Sequence, residues 1–351
     1  MTRRRIALTL LLTAATTVIA AIPAQAAPRH VRAEDREVVF TVEDTRTYGT
    51  LHVPAHRIGQ RLPAALLLPG SGPTDRNGDQ PPVLTPHTLA KLATALDEDK
   101  IITLRFDKYG SGKTGLGAYT EHPENIDYPA FVRQAAAAYT LLLRQPETDR
   151  RALSVIGHSE GALTALMLAN EVRPRPAGLA LLQPQALRLL DVVALQLHDQ
   201  IAKATQAGQF TPEQQRAIDT AIDRAIVDLR ARRPVDTTDL PAPIVQLFQA
   251  FQGTNRRFIE SDDAVYPPDV ARRLRAGTRV LLTCGTNDPQ VPCATTDALT
   301  EALHKAHTTG PGRVVLQGID HNLRDAAHPD LLAADALSAL RAFTSRWRHA
   351  G

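Results

Sequence analysis

The sequence lacks any helical segment with Lys and Arg residues clustered on one face. After residue 26 it also lacks any apolar run long enough to cross a bilayer. Its 40 Lys and Arg residues are scattered among 37 Asp and Glu residues, and the net charge is only +3. A nucleic-acid-binding surface clusters its Lys and Arg residues, so we expect no nucleic-acid partner. Internal repeats and low-complexity segments are also missing. The 351 residues, 43 % of them apolar, are enough for one large globular α/β domain.

The first 26 residues have the pattern of a signal peptide. Three arginines at positions 3–5 precede an apolar stretch over residues 6–22, and Ala-Gln-Ala at 24–26 has the small-x-small pattern of a signal-peptidase site. The apolar stretch is shorter than the roughly 20 residues that a membrane anchor needs. We therefore expect a secreted protein without a stable membrane anchor, whose mature chain begins near Ala27.

Short β-rich and apolar runs define the expected sheet. Residues 36–42 and 47–53 predict an antiparallel hairpin. Further on, continuous apolar runs alternate with helical patterns, as in parallel strands that crossover helices bury on both faces. These patterns predict strands at 63–69, 101–107, 152–157, 178–183, 278–285 and 313–318, and helices at 88–99, 128–144, 160–171, 295–307 and 330–347. Their order predicts an α/β fold with a mostly parallel, doubly wound sheet.

One long interval, from about residue 184 to 272, contains helical patterns and no strand pattern. Thr211 followed by Pro212 is typical of a helix N-terminus within it. The interval follows a central strand without a long flexible linker, which favours a helical cap over the carboxyl edge of the sheet rather than a separate domain. The expected organisation is a signal peptide at 1–26 and one domain at 27–351 that includes this cap.

The stretch Gly157-His-Ser159-Glu-Gly161 joins a predicted strand directly to a predicted helix. Glycines on both sides allow the sharp strand-to-helix turn that exposes a nucleophilic serine at its tip. We interpret Ser159 as a nucleophile and expect His158 and Glu160 to orient it or line the pocket. An ordinary Gly-Ser turn is the alternative.

A serine nucleophile needs a histidine base and a carboxylate that orients the base. Asp288 and His321 each follow a predicted strand, and the order Ser159, Asp288, His321 is that of an α/β-hydrolase triad. Asp320 is the competing acid, although a direct neighbour rarely reaches the far nitrogen of the adjacent imidazole. The alternatives are non-catalytic: Asp288 would only form a turn, and His321 would only lie in a surface loop.

The loop after the strand at 63–69 is the candidate for the oxyanion hole. The backbone N–H of Glu160 should supply one donor, and Gly70 and Gly72 allow the loop to turn a second N–H, that of Ser71, toward Ser159. A tight turn without this role is the alternative.

Two other motifs fail on inspection. Residues 75–79 resemble the start of a calcium loop, but Gln80 and Pro86 occupy the positions of the required Gly and Glu. The Gly-x-Gly-Lys at 110–113 lacks the first glycine of a phosphate-binding loop. We therefore expect no metal site at the first motif. We interpret the second as a strand-end loop in which Asp107 and Lys108 shape the pocket rim.

These segments together resemble the α/β-hydrolase superfamily, and more narrowly its bacterial esterase and serine-aminopeptidase-like branch. The resemblance extends over roughly residues 36–347 and implies the triad and oxyanion residues named above, with no cofactor. It is carried by PGSGPTDRNGD (69–79), RFDKYGSGKT (105–114), GHSEGA (157–162), GTNDPQVP (285–292) and GIDHNL (318–323).

Cys284 and Cys293, on either side of Asp288, depart from the family pattern. Secretion would allow them to form a disulfide that stiffens the loop carrying Asp288, and two buried thiols are the alternative.

The expected function is hydrolysis of a small-molecule ester with a short to medium acyl group. Apolar cap segments at 192–197 and 244–251 either line an acyl slot or pack onto the sheet. An aminopeptidase or acyltransferase is the alternative, and the former would use acidic residues such as Glu260, Asp262 and Asp263 to bind an ammonium group. A binding protein that retains the fold is a third interpretation.

Overall fold

The computed structural model describes residues 30–348, so the predicted signal peptide lies outside the described residues. The strands are β1 (His30–Val31), β2 (Glu34–Val42), β3 (Thr45–Val53), β4 (His56–Arg57), β5 (Leu62–Leu68), β6 (Ile102–Phe106), β7 (Thr148–His158), β8 (Gly178–Leu182), β9 (Arg279–Gly285) and β10 (Thr309–Leu316). Eight of them form one sheet in the order β10-β9-β8-β7-β5-β6-β3-β2, and β1 pairs with β4. Strand β3 runs antiparallel to β2 and β6, and every other neighbouring pair in the large sheet is parallel.

The predicted α/β-hydrolase fold with an N-terminal antiparallel hairpin is therefore confirmed. Glu43 and Asp44 form the two-residue hairpin turn, and both have positive φ (48° and 62°). A two-residue turn with positive φ at both positions matches the right-handed twist of the strands that it joins.

Helices cover both faces of the sheet. They are α1 (Thr88–Glu98), α2 (Tyr128–Leu143), α3 (Glu160–Glu171), α4 (Leu189–Gln206), α5 (Pro212–Arg230), α6 (Ala242–Gln252), α7 (Arg256–Asp263), α8 (Pro267–Ala271), α9 (Asp297–Lys305) and α10 (Ala334–Arg348). Residues of α2, α3, α8 and α9 share one buried cluster with the sheet, and residues of α1 and α10 share the other. Strand β5 shows the alternation: Leu66 and Leu68 belong to the first cluster, and Ala65 and Leu67 to the second.

The segment between β8 and β9 contains the five helices α4–α8 and no strand. Thr211 caps α5 through its side chain, which accepts a hydrogen bond from the Gln214 N–H, and Pro212 is the first helical residue. Four of these helices pack around an apolar cluster of their own that includes Leu190, Ile222 and Phe248. We call α4–α8 the cap helices.

Strand β10 begins four residues before the predicted 313, because Thr309 already pairs with Arg279. The register shifts between Thr309 and Gly312, and Gly310 and Gly312 have φ of +104° and +68°. Helix α10 begins at Ala334 rather than at 330. None of the helices in the described part of the chain is long and apolar enough to cross a membrane.

Candidate active site

Ser159 lies in the sharp corner between β7 and α3. Its φ and ψ are 56° and −122°, a conformation that costs free energy for a residue with a side chain. A Cβ on Gly157 would lie 2.1 Å from the Gly161 carbonyl oxygen, and one on Gly161 would lie 2.4 Å from the Leu68 carbonyl oxygen. The two glycines are therefore required by close packing of the turn against itself and against β5.

Asp288 and His321 meet at the same edge of the sheet, after β9 and β10. The His321 Nδ1 and the Asp288 Oδ2 are hydrogen-bonded at 2.8 Å. The other carboxylate oxygen, Oδ1, accepts the backbone N–H groups of Gln290 and Val291 at 2.9 and 3.1 Å. Both side chains are buried, so the carboxylate has one fixed orientation, and the His321 Nε2 is the ring nitrogen left for another partner.

The competing acid, Asp320, binds elsewhere. Its carboxylate accepts hydrogen bonds from the Arg324 guanidinium at 2.9 and 3.0 Å and from two backbone N–H groups of its own loop. Of the two aspartates, Asp288 is thus the one against the His321 ring.

His158 also contacts His321. Its Nε2–H donates to the His321 carbonyl oxygen at 2.7 Å, and the two ring centroids are 4.8 Å apart. Burial, and next the neighbouring His321, lower the pKa of His158 from 6.5 to about 4. A neutral His158 with its proton on Nε2 satisfies this hydrogen bond.

The loop after β5 lies directly against Ser159. A Cβ on Gly70 would be 3.1 Å from the Ser159 Cβ, so a larger residue would press on the nucleophile. Gly72 has φ +79°, and the Gln80 side chain holds the loop by donating to the Ser71 carbonyl oxygen at 2.7 Å. Among the described residues, neither the Ser71 N–H nor the Glu160 N–H has a hydrogen-bond acceptor.

Charged groups are buried next to this loop. The Lys108 ammonium and the Glu160 carboxylate are 2.8 Å apart, with side chains 5 % and 2 % exposed. Asp262, from α7, is fully buried and accepts one hydrogen bond from the Gln185 amide at 3.0 Å. Burial, and next the nearby Glu160, raise the pKa of Asp262 well above its usual value.

A cavity of about 780 Å³ opens beside Ser159 between the sheet and the cap helices, within the size range of small-molecule sites. Ser71, Ser159 and Glu160 lie at its base. Apolar side chains of the cap make much of its wall, among them Val192, Val193, Leu197, Leu247 and Phe251. Both predicted apolar segments contribute to the cavity wall, whereas Ile244 and Phe248 of the second segment pack in the interior of the cap rather than onto the sheet.

Cys284, in β9, and Cys293 form a disulfide with their Cα atoms 5.1 Å apart. The bridge closes the loop that carries Asp288, and Cys293 begins a short 3₁₀ turn before α9. The sequence left the pairing open, and the structure contains the bond.

Lys108 lines the cavity at Ser159, as expected, although its side chain is buried and paired with Glu160. Asp107 does not line this cavity, because it is buried and paired with the Arg76 guanidinium at 2.7 Å. The acidic trio suggested for binding an ammonium group does not line the cavity at Ser159. Glu260 pairs with Arg232 and Arg256, Asp263 pairs with Arg230, and Asp262 is enclosed.

Sequence reasoning missed the role of Lys108, which contacts both the Ser71 loop and Glu160. The available signal was its position one residue after Asp107 at the carboxyl end of a buried strand, the edge at which α/β proteins place their sites.

The fold and this serine site define an α/β hydrolase, and comparisons with known proteins agree. A family model described as "Alpha/beta hydrolase family" matches residues 65–339. No curated protein matches the sequence significantly. The chain belongs to the α/β-hydrolase family and is a hydrolase.

Solved structures with this fold include several hydrolases. An esterase from Pyrococcus furiosus has a TM-score of 0.59 at 18 % identity, with 90 % of this chain and 91 % of that chain covered. Est1E from Butyrivibrio proteoclasticus has a TM-score of 0.53 at 14 % identity, covering 89 % of this chain and 98 % of that chain. A puromycin hydrolase has a TM-score of 0.54 at 20 % identity, covering 90 % of this chain but 39 % of that chain. At 14 to 20 % identity, these likenesses show the shared fold.

Proposed function

We propose that the protein is a secreted serine esterase that cleaves carboxylic esters with short to medium acyl groups. The observation that carries the proposal is the convergence of the Ser159 corner and the Asp288–His321 hydrogen bond at one edge of the sheet. The largely apolar cavity beside Ser159 supports an apolar acyl group as the bound part of the substrate.

In the proposed mechanism the Ser159 Oγ attacks the ester carbonyl carbon while the His321 Nε2 takes the serine proton. Asp288, at the His321 Nδ1, orients the ring and stabilises the imidazolium. The backbone N–H groups of Ser71 and Glu160 donate to the oxyanion of the tetrahedral intermediate.

Collapse of this intermediate breaks the bond to the alcohol, which leaves with the proton held by His321. The acyl group is then bound to Ser159. Water, deprotonated by the same imidazole, attacks the acyl-enzyme, and the second collapse releases the carboxylic acid and returns the proton to Ser159.

An ester rather than an amide is favoured by the charges around the cavity. An aminopeptidase of this kind would need a free carboxylate to bind the substrate ammonium group. The Glu160 carboxylate at the cavity base is already paired with Lys108, and Glu260, Asp262 and Asp263 do not line the cavity.

The first experiment is a chromogenic ester series, from acetate to palmitate, with residues 27–351 and the variant Ser159→Ala. We expect hydrolysis that is greatest for short to medium chains and is lost in Ser159→Ala. Ser345→Ala, at an exposed serine on α10, is the matched control and keeps full activity. Faster cleavage of amino-acid anilides than of any ester would overturn the ester assignment.

Secretion is part of the proposal and is supported by the leader pattern of residues 1–26 and by the disulfide, which forms in oxidising compartments. Expression of the full chain in a bacterial host should release a protein whose N-terminus, read by mass spectrometry, lies near Ala27. Retention of the intact leader inside the cell would contradict it.

A further inference from the structure

We propose that Lys108 is a positioning residue that holds both halves of the oxyanion hole in place. The inference rests on the proposed serine-hydrolase function and extends it to a residue that the mechanism above does not use. Lys108 follows β6, a strand that contributes none of the predicted catalytic or oxyanion residues.

The Lys108 ammonium makes two short hydrogen bonds to the two segments in question. Its Nζ donates to the Gly70 carbonyl oxygen at 2.8 Å and to the Glu160 Oε1 at 2.8 Å. The Phe131 ring lies 4.9 Å from the same nitrogen, in the range of a cation–π contact. An ammonium group has three N–H donors, and protein groups accept from two of them. Lys108 is therefore placed to hold the Gly70 peptide and the Glu160 side chain together.

The contact with Gly70 fixes the direction of the Ser71 N–H. The Gly70 carbonyl and the Ser71 N–H belong to one planar peptide unit, in which they point in opposite directions when the bond is trans. Holding the carbonyl oxygen against Lys108 therefore turns the Ser71 N–H away from Lys108. Because Gly70 lies against Ser159, a rotation of this peptide would move the donor relative to the nucleophile.

The contact with Glu160 anchors the residue that supplies the other donor. Glu160 is the first residue of α3, and its side chain is 2 % exposed. With the carboxylate fixed to Lys108, the first turn of α3 and the peptide of Gly70 share one partner. The two oxyanion donors are thus connected through a single ammonium group, although Ser71 and Glu160 are 89 residues apart in the sequence.

Loss of Lys108 has an electrostatic effect that the experiment must separate from positioning. Asp262 is the second acid near Glu160, and Asp263 follows it on α7. Lys108→Met would leave the Glu160 carboxylate buried without its counter-ion, which destabilises a folded protein. The double variant Lys108→Met/Glu160→Gln removes both charges and provides a form without the uncompensated carboxylate.

The experiment measures the rate constant for labelling Ser159 with a fluorophosphonate, in which the serine oxygen displaces fluoride and the phosphoryl oxygen enters the oxyanion hole. This probe does not depend on the natural substrate. Steady-state ester hydrolysis is measured beside it. Lys113→Met is the matched control, since Lys113 lies on the same loop and pairs with the exposed Glu37.

We expect Lys108→Met and the double variant to be labelled about 10- to 100-fold more slowly than wild type, with kcat reduced by a similar factor and KM little changed. Lys113→Met should behave as wild type. A double variant with the wild-type rate constant would show that Lys108 only balances charge, and this would overturn the inference. An unlabelled wild-type protein would instead overturn the proposed function, and the inference with it.

Discussion

At the scale of single residues, His321 is held at two points, one on its ring and one on its backbone. Asp288 binds its Nδ1, and His158 binds its backbone carbonyl oxygen. Asp288 is itself fixed by two backbone N–H groups at its other oxygen. This arrangement sets the tautomer of His321 as well as the direction of the ring.

Asp288→Asn should lower kcat about 10⁴-fold, because the amide favours the wrong tautomer of His321 while leaving the packing intact. Steady-state ester hydrolysis measures the effect. Asp320→Asn is the matched control and should remain near wild type, since Asp320 binds Arg324. A greater loss in Asp320→Asn than in Asp288→Asn would show that the acid has been assigned to the wrong residue.

His158 makes the folded protein sensitive to acid. Its pKa is about 4 in the folded state against 6.5 for an exposed histidine. The unfolded chain therefore binds a proton first, and the free energy of unfolding falls as the pH drops from 6.5 toward 4. The contribution is present at pH 7 and is reduced by about 3 kcal/mol at pH 4.

Urea unfolding of wild type and His158→Asn at several pH values measures this contribution. The difference in unfolding free energy between the two should shrink by about 3 kcal/mol from pH 7 to pH 4. Taking the difference cancels the opposite effect of Asp262, whose raised pKa lowers stability as the pH rises. A difference for His158→Asn that does not vary with pH would contradict the prediction.

The sequence could predict Ser159, Asp288 and His321 as neighbours because each follows a buried strand, and parallel strands end at one edge of the sheet. Lys108 satisfies the same criterion, but nothing in the sequence indicates where a long, flexible side chain ends. Its two acceptors, the Gly70 carbonyl and Glu160, become its neighbours only through the order in which β6, β5 and β7 pair.

At the scale of secondary-structure elements, the loop between β9 and α9 carries Asp288 and is closed by a disulfide. The Cys284–Cys293 bridge spans nine positions and encloses Asp288. A bridge of this span restricts the unfolded chain, and it limits the movement of the loop in the folded state.

Replacing both cysteines with alanine should lower the free energy of unfolding by about 2.5 kcal/mol. It should also lower kcat, because the Asp288 carboxylate is held by N–H groups of the same loop. Denaturant unfolding and ester turnover measure the two effects. Wild type treated with a reductant should approach the variant in both. Unfolding of the variant at the same denaturant concentration as oxidised wild type would contradict the stabilising role.

The start of strand β10 could not be predicted from the pattern of apolar residues. Residues 309–312 read Thr-Gly-Pro-Gly, which indicates a turn, yet Thr309 and Gly312 pair with β9 across a shift in register. Backbone pairing continues there without an apolar side chain to mark it. The hairpin and the helices α1, α2 and α3 were predicted to within about two residues because their apolar periodicity continues to their ends.

At the scale of the whole molecule, the proposed catalytic residues and the walls of the proposed substrate cavity come from different parts of the chain. The sheet loops supply Ser159, Asp288 and His321, whereas helices α4 and α6 supply apolar walls of the cavity. Helical periodicity predicted the helices, but the shape of the space between them depends on their packing.

Val193→Trp should reduce the size of the cavity from the cap side. We expect turnover of the longest esters to fall about tenfold or more while acetate turnover stays near wild type, because the bulk is added to the cap wall of the cavity. The ester series measures the change in chain-length preference. Val227→Trp, at an exposed position on α5, is the matched control. An equal loss for acetate and palmitate would mean that Val193 does not limit acyl length.

The separate apolar cluster of the cap has a consequence for how this protein can change over evolutionary time. Its side chains, such as Ile222 and Phe248, are buried mostly against one another. Mutations that reshape the cap can therefore accumulate without disturbing the strand ends that carry the proposed catalytic residues. Descendants of one such chain can acquire new substrates by exchanging cap residues and inherit the same serine chemistry unchanged.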